Sequence, residues 1–364
     1  MARVWPGARH HRRALSMADS IHALAIIGTG VMGTGIAQIA AQAGLAVHLF
    51  DARDGAADAA RANLVATLRI LADKGKIGAD AAAEAASRLH VAGRLSDLAA
   101  CDLVVEAIVE RLEPKRALLA ALEDVVGESC ILATNTSSLS VTTIARAARH
   151  PGRVAGFHFF NPVPLMKVVE VVDGLATSPA VGDALVSLAE RMGHRAVRAK
   201  DTPGFVVNHA GRAYGTEALM MLGESIASSG DIDRILREAA GFRMGPFELL
   251  DLTGIDVSHP VMESIYEQFY QEPRYRPSAL TRQMLEGSRI GRKAGHGFYR
   301  YRDGKPVDPP PPQPVPAVDM LPPVWIGAET EPDRDAVRAL LVGLGASVED
   351  GAAPSREALC LLAP

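Results

Sequence analysis

Short apolar runs alternate along the chain with longer stretches whose apolar positions recur every three to four residues. The runs LAIIG (24–28), VHLF (47–50), DLVVEAI (102–108), CILAT (130–134), RVAGFHFF (153–160) and MKVVEVV (166–172) predict strands. VMGTGIAQIAAQAG (31–44) predicts a helix between the first two, and an alanine-rich helical stretch follows over roughly 55–87. Continuous apolar strands interleaved with helices predict a parallel sheet covered on both faces. Only NPVPL joins the last two runs, which is too short for a parallel crossover, so that pair is predicted antiparallel.

After Thr202-Pro203-Gly204 the pattern becomes helical: FVVNHAGRAYGTEALMML (205–222), DIDRILREAA (231–240), GPFELLDL (245–252) and HPVMESIYEQFY (259–270). Thr202 is predicted to cap a helix whose first position is Pro203. Seven prolines between 306 and 316 predict a stiff, extended linker. Beyond it, PPVWIG and DRDAVRALLVGLGASVED predict one more strand–helix–strand piece, ending in the strand-like CLLAP.

Gly28-Thr-Gly30-Val31-Met32-Gly33 follows the first strand and opens a helix, the context a dinucleotide-binding turn requires. Gly28 permits the tight turn, Gly30 lets backbone approach a pyrophosphate, and Gly33 allows close helix–strand packing. The helix N-terminus then offers amides to the phosphates. Asp51, at the end of the second strand, stands where a carboxylate accepts from both ribose hydroxyls and repels a 2′-phosphate, which favours NAD over NADP. Nearby Arg53 slightly weakens that preference. The expected fold class is therefore α/β, a Rossmann-type doubly wound sheet followed by an all-α C-terminal domain. The predicted boundaries are 1–20 for a basic arm, 21–201 for the NAD-binding domain and 202–301 for the helical domain. The linker is expected at 302–323 and the extra piece at 324–364.

Composition narrows the class. A chain of 364 residues, 48% hydrophobic and with mean hydropathy +0.10, builds a large core and is neither disordered nor collagen-like. A net charge of −4 gives no general cationic field, which argues against a nucleic-acid partner. The 28 residues from Ala23 to Phe50 carry no Asp, Glu, Lys or Arg, but five glycines and the change of period predict strand–turn–helix–strand rather than a membrane span. Cys101, Cys130 and Cys360 lie far apart, which excludes a disulfide framework and a cysteine metal site and suits the reducing cytoplasm. The first twenty residues hold four arginines and no acid before Asp19. They are expected to be a dispensable arm, the alternative being a mitochondrial transit peptide.

A lone His158 within an apolar strand is ordinarily a satisfied core residue. Glu170 changes that reading, because it too sits on an apolar strand, one short link away, and an unpaired buried carboxylate is costly. A buried Glu beside a buried His orients the imidazole and raises its basicity, which suits a base that takes a hydroxyl proton as hydride leaves the same carbon.

With these residues the chain resembles the 3-hydroxyacyl-CoA dehydrogenase family over about residues 22–301, particularly its 3-hydroxybutyryl-CoA and 3-hydroxyadipyl-CoA types. The turn GTGVMGTGIA, VVEAIVE, NTSSLS, GFHFFNPVPLMKVVEV, DTPGFVVN, MGPFELLDL, RYRPS and GRKAGHGFY match in order. The resemblance implies NAD-dependent oxidation of a 3-hydroxyacyl-CoA, with His158 as base, Glu170 as its orienting partner, and Ser137 and Asn208 on the substrate oxygen. It further implies cofactor contacts at Glu110, Lys115, Ser137, Asn161 and Lys293, and CoA contacts at Thr67, Lys74 and Ser137. Only seven of the 38 basic residues are lysines, and Lys74, Lys115 and Lys293 fall on these positions. No metal is expected, nor a membrane partner. A homodimer through the helical domain is implied, as are roles in fatty-acid β-oxidation or phenylacetate catabolism. Two rivals are a dehydrogenase of free 3-hydroxyacids with a catalytic lysine and a silent NAD-binding structural protein of the same fold. The tail resembles the start of a second helical module found in longer relatives, so it is expected to be dispensable for activity.

Overall fold

The structure, a computed structural model, describes residues 21–307 and 321–363. The expected basic arm and the proline-rich core of the expected linker lie outside the described residues. The chain divides into two compact units at Val307 and Asp308.

The first unit begins with β1 (Ala23–Ile27), α1 (Val31–Gln42), β2 (Ala46–Phe50), α2 (Ala56–Asp73), α3 (Ala79–Ser87) and β3 (Leu89–Val91). It continues with β4 (Leu103–Glu106), α4 (Leu112–Glu123), β5 (Ile131–Thr134), α5 (Val141–Ala145) and β6 (Val154–Phe159). β7 (Val168–Asp173), α6 (Pro179–Arg191) and β8 (Arg195–Lys200) complete an eight-stranded sheet in the order β3-β2-β1-β4-β5-β6-β7-β8. The chain from Ala23 to Phe50 is the expected strand–helix–strand, and no described helix is long and apolar enough to cross a membrane.

Side-chain alternation divides the core between the two faces. Leu24 and Ile26 pack with Ile36, Ile39 and Leu68 on one side, while Ala25 and Ile27 pack with Leu119, Leu122 and Ile144 on the other. The central strands β4, β5 and β6 are buried along their whole length, which is why they read as unbroken apolar runs. The edge strands gave no such signal. β3 has three residues, and β8 is RAVRAK with its charges exposed, because an edge strand needs no continuous apolar surface. β6 and β7 pair antiparallel as predicted, and the register sets His158 directly opposite Glu170.

The helical layer comprises α7 (Val207–Ala210), α8 (Arg212–Gly223), α9 (Ser229–Glu238), α10 (Pro246–Thr253), α11 (Ile255–Gln268) and α12 (Ala279–Glu286). Its core includes Leu219, Ile232, Phe247, Leu250, Ile255 and Met262. Thr202 does not cap a helix at Pro203. Thr202-Pro203-Gly204-Phe205 is a turn closed by Phe205 N to Thr202 O at 2.8 Å, with Gly204 at φ +74°. Pro followed by a positive-φ Gly is the type II signature, so the same residues punctuate the chain in another way. Phe205, at φ +49°, packs with Val141, Val172 and Ala199 of the sheet layer before the helix begins. The stretch 55–87 likewise divides into α2 and α3, with Gly75 at φ +63° between them.

Buried carboxylates close the layer. Asp251 accepts from Phe298 N and Tyr299 N, both at 2.9 Å, and a Cβ on Gly297 would fall 1.9 Å from its Oδ1. The chain does not enter a linker at 302. β9 (Arg300–Arg302) pairs with β10 (Lys305–Val307) as an antiparallel hairpin.

The second unit contains β11 (Val324–Ala328), α13 (Glu331–Gly343), β12 (Val348–Glu349) and β13 (Leu359–Ala363). The predicted strand–helix–strand gains a third member, since β13 pairs parallel with β11 in the order β12-β11-β13. A chain ending at Val307 should melt cooperatively within a few degrees of the full chain by differential scanning calorimetry. A collapse of that transition would show that the second unit is needed by the first.

Candidate functional site

Two features of the Gly28–Gly33 turn leave no room for a side chain. A Cβ on Gly28 would lie 2.5 Å from Ala107 O, and one on Gly33 would lie 1.9 Å from Gly28 O. Gly30 is different: nothing stands within 4 Å of its Cβ position, so its backbone faces open space. The amides of Val31, Met32 and Gly33 precede the first intrahelical bond, Thr34 N to Gly30 O, and α1 has neither a side-chain cap nor an acid in its first turn. Unmet amides at the positive end of a helix, beside an open glycine, fit a pyrophosphate.

Asp51 follows β2 and accepts from Thr29 N and Thr29 Oγ1, both at 2.8 Å. Arg53 adds its own N–H and two guanidinium contacts at 3.0 Å. The Arg53 guanidinium, helped by Thr29 and opposed by burial, holds the Asp51 carboxyl well below the usual carboxylate range. It is a fixed anion at the end of β2, held against the glycine turn by Thr29. Thr29, which sequence reading passed over, is what aims it.

The β6–β7 register produces the second half of the site. His158 is 3% exposed and Glu170 is 0% exposed. His158 Nδ1 lies 2.7 Å from Glu170 Oε2, and Nε2 lies 3.1 Å from Ser137 Oγ. A carboxylate only accepts, so Nδ1 carries the proton and Nε2 turns its lone pair toward Ser137. The other carboxylate oxygen, Oε1, accepts from Val206 N at 2.8 Å and Val207 N at 2.9 Å. Burial works against the charge on Glu170, but His158 and these two amides outweigh it and hold the carboxyl below its ordinary value.

The Ser137 loop is gripped from two sides. Glu110 Oε1 accepts from Thr136 Oγ1 (2.7 Å), Ser137 N (2.8 Å) and Ser138 N (2.9 Å). From the helical layer, Asn208 Nδ2 approaches Ser137 O at 3.5 Å, and Gln268 Nε2 donates to Ser138 O at 2.9 Å. Asn135 accepts from Phe159 N at 2.8 Å, and Asp201 accepts from Val141 N and Thr142 N at the start of α5. Gln268 and Asp201 carried no local sequence signal, because their partners lie 130 and about 60 residues away.

The lysines are placed unequally. Lys115 is 2% exposed, its Nζ 2.7 Å from Glu106 and 3.2 Å from Glu110. It is locked inside the protein and reaches the loop through Glu110. Lys293 pairs with Asp256 at 2.6 Å in the helical layer. Lys74 is exposed at the C-terminal end of α2. Thr67, by contrast, lines a groove of about 620 Å³ together with Thr29, Gly30, Val31, Arg53, Asn63 and Asn161. The sequence-predicted turn, Asn161 and Thr67 thus meet in one concavity of a size that suits small-molecule binding.

Comparison with known proteins accords with this geometry. Residues 23–202 match the model for the 3-hydroxyacyl-CoA dehydrogenase NAD-binding domain, and residues 204–301 match that of its C-terminal domain. The chain belongs to the 3-hydroxyacyl-CoA dehydrogenase family. Its members are NAD-dependent oxidoreductases. The chain is 44% identical over 286 residues to 3-hydroxyadipyl-CoA dehydrogenase of Escherichia coli, an alignment covering 79% of this chain and 60% of that protein. It therefore spans well under the full length of that relative. It is 40% identical over 276 residues to a probable 3-hydroxybutyryl-CoA dehydrogenase of Deinococcus radiodurans, covering 76% of this chain and 99% of that one. The crystal structure of (S)-3-hydroxybutyryl-CoA dehydrogenase from Ralstonia eutropha superposes with a TM-score of 0.75 at 38% identity, covering 78% of this chain and all of that one.

Glu170 sets a pH dependence for the tie between β7 and the start of α7. Its folded-state pKa is depressed, so its contribution is complete above the ordinary value of 4.5 and is lost as pH falls through the lower folded value. Glu170→Gln should melt well below the wild type at neutral pH, with the gap narrowing as pH drops beneath 4.5. A gap independent of pH would show that the carboxylate's charge does not carry the tie.

Proposed function

We propose that the chain catalyses the reversible NAD-dependent oxidation of an (S)-3-hydroxyacyl-CoA to the 3-oxoacyl-CoA. The observation that carries this reading is the buried Glu170–His158 pair, with the free imidazole nitrogen directed at Ser137 Oγ, which follows β5 at the same end of the parallel sheet as the Gly28–Gly33 turn after β1. Nε2 takes the proton of the substrate's 3-hydroxyl. Glu170 fixes the tautomer and stabilises the imidazolium that results. Ser137 Oγ and the Asn208 amide hold the same oxygen as it becomes a carbonyl. NAD, when bound, accepts the hydride that leaves that carbon.

Gly28, Gly30 and Gly33, with the Val31 and Met32 amides, hold the pyrophosphate in this reading, and Asp51 takes the ribose hydroxyls. Glu110 and Asn161 border the nicotinamide side. Lys115 serves by holding Glu110, and Lys293 contributes from the helical layer. Thr67, lining the groove, and Lys74 at the end of the same helix receive the CoA moiety.

The names of the relatives point to short acyl chains, and hence to fatty-acid β-oxidation or phenylacetate-type catabolism; in this reading the compartment is the cytoplasm, with the mitochondrion as the alternative. A homodimer through the helical layer agrees with the exposed Met220, Ile226, Ile235 and Phe242 there. A rival that uses a catalytic lysine on free acids has less support, because the buried His158–Glu170 pair supplies a base at the site without one. Following NADH absorbance with acetoacetyl-CoA and with free 3-hydroxybutyrate separates the two readings, turnover of the free acid alone favouring the rival.

His158→Gln should lower kcat by about 10²- to 10⁴-fold, the usual contribution of a positioned base, with NAD affinity near normal. Full activity in this variant would remove His158 from its assigned role. Asp51→Ala should shift the ratio of kcat/KM for NAD over NADP toward NADP. An unchanged ratio would count against Asp51 as the ribose acceptor.

A further inference from the structure

Asp51 meets more donors than a carboxylate ordinarily seats. Oδ2 accepts from Thr29 N and Thr29 Oγ1 at 2.8 Å and from Arg53 Nη2 at 3.0 Å. Oδ1 accepts from Arg53 N and Arg53 Nε, both at 3.0 Å. The two oxygens of a carboxylate present roughly four lone-pair positions between them, and five donors already converge on this one. The carboxylate assigned above to the ribose hydroxyls therefore has no position left for either. A donor has to leave before a ribose binds.

The five differ in how readily they leave. Thr29 is buried, and its amide and that of Arg53 belong to the backbone that joins β1 to α1 and β2 to α2. The Arg53 side chain is 73% exposed, against 7% for that of Asp51. Its guanidinium has no hydrogen-bond partner but Asp51 among the described residues. It also borders the groove lined by Asn63 and Thr67, which gives it open space to turn into. An ion pair with so exposed a cation is held weakly, because water competes for it. Moving the guanidinium aside releases one contact on each carboxylate oxygen, while Thr29 and the Arg53 amide keep the carboxylate aimed.

We propose that Arg53 sets the choice of nicotinamide cofactor by competing with the adenosine ribose for Asp51. With NAD, the guanidinium gives up both its contacts to the two hydroxyls, so its presence lowers affinity. With NADP the balance reverses. The 2′-phosphate is repelled by Asp51 but attracts the guanidinium, which binds a phosphate through two parallel N–H···O bonds. The same side chain thus weakens NAD and admits NADP. The inference rests on the reading of Asp51 as the ribose acceptor and adds to it the residue that opposes it.

The test is equilibrium binding, read from nucleotide fluorescence as the full chain is titrated with NADH and with NADPH. Arg53→Met, which keeps the bulk of the side chain without its charge or donors, should tighten NADH by about 2- to 5-fold. It should weaken NADPH by about 10- to 100-fold, the loss expected when a charged hydrogen-bond donor to a phosphate is removed. With Asp51→Ala already in place, Arg53→Met should no longer tighten NADH. A melting curve of each variant reports its folding. An NADH affinity that stays level or falls in Arg53→Met would mean that Arg53 only steadies Asp51, and would overturn the proposal. An NADPH affinity that does not fall would overturn it too. NADH binding untouched by Asp51→Ala would instead overturn the ribose reading, and this inference with it.

Discussion

The structure depends on one carboxylate with no access to water. Glu170 is wholly buried in the middle of a β-strand, where an isolated charge would be expelled or neutralised. It stays ionised because every face of it is engaged: the imidazole of His158 on one oxygen, and two consecutive amides at the start of the helical layer on the other. The carboxylate that orients the imidazole through one oxygen therefore also fixes, through the other, where the first helix of the second layer starts. Removing such a partner from a buried charge typically costs about 3–5 kcal/mol, so imidazole orientation and layer docking are lost together.

A similar economy governs the Ser137 loop. Its amides are held from the sheet side by Glu110, which Lys115 in turn holds, and its carbonyls are approached from the helical side by Asn208 and Gln268. A loop fixed on both sides presents Ser137 Oγ to His158 without relying on its own backbone preferences. Lys115 illustrates how a residue type misleads in isolation. A scarce lysine in an arginine-rich chain suggested a contact with a ligand, whereas its ammonium is closed inside an ion-pair cluster.

Much of the fold was legible because the central strands are buried on both faces, and burial writes itself as unbroken apolar sequence. The edge strands β3 and β8 escaped notice for the converse reason. At Thr202-Pro203-Gly204 the same letters fit two local structures, a capped helix start or a type II turn. The outcome was decided by the packing of Phe205 against the sheet and by the demand of Glu170 for two free amides. The hairpin of β9 and β10 was hidden for a related reason, since Pro306, the middle residue of β10, resembles the first residue of a linker.

The sequence by itself determined the periodicities, the glycine turn, the acid after β2 and the presence of His158 and Glu170 on neighbouring strands. These are local facts, set by steric room, strand length and hydrophobic spacing within a few tens of residues. Tertiary structure decided the rest: that the register puts the two residues face to face, that Gln268 closes on a loop 130 residues before it, and that Glu170 meets the amides of Val206 and Val207. Charge compensation acts through space, and only the folded chain brings its partners within range or withholds them.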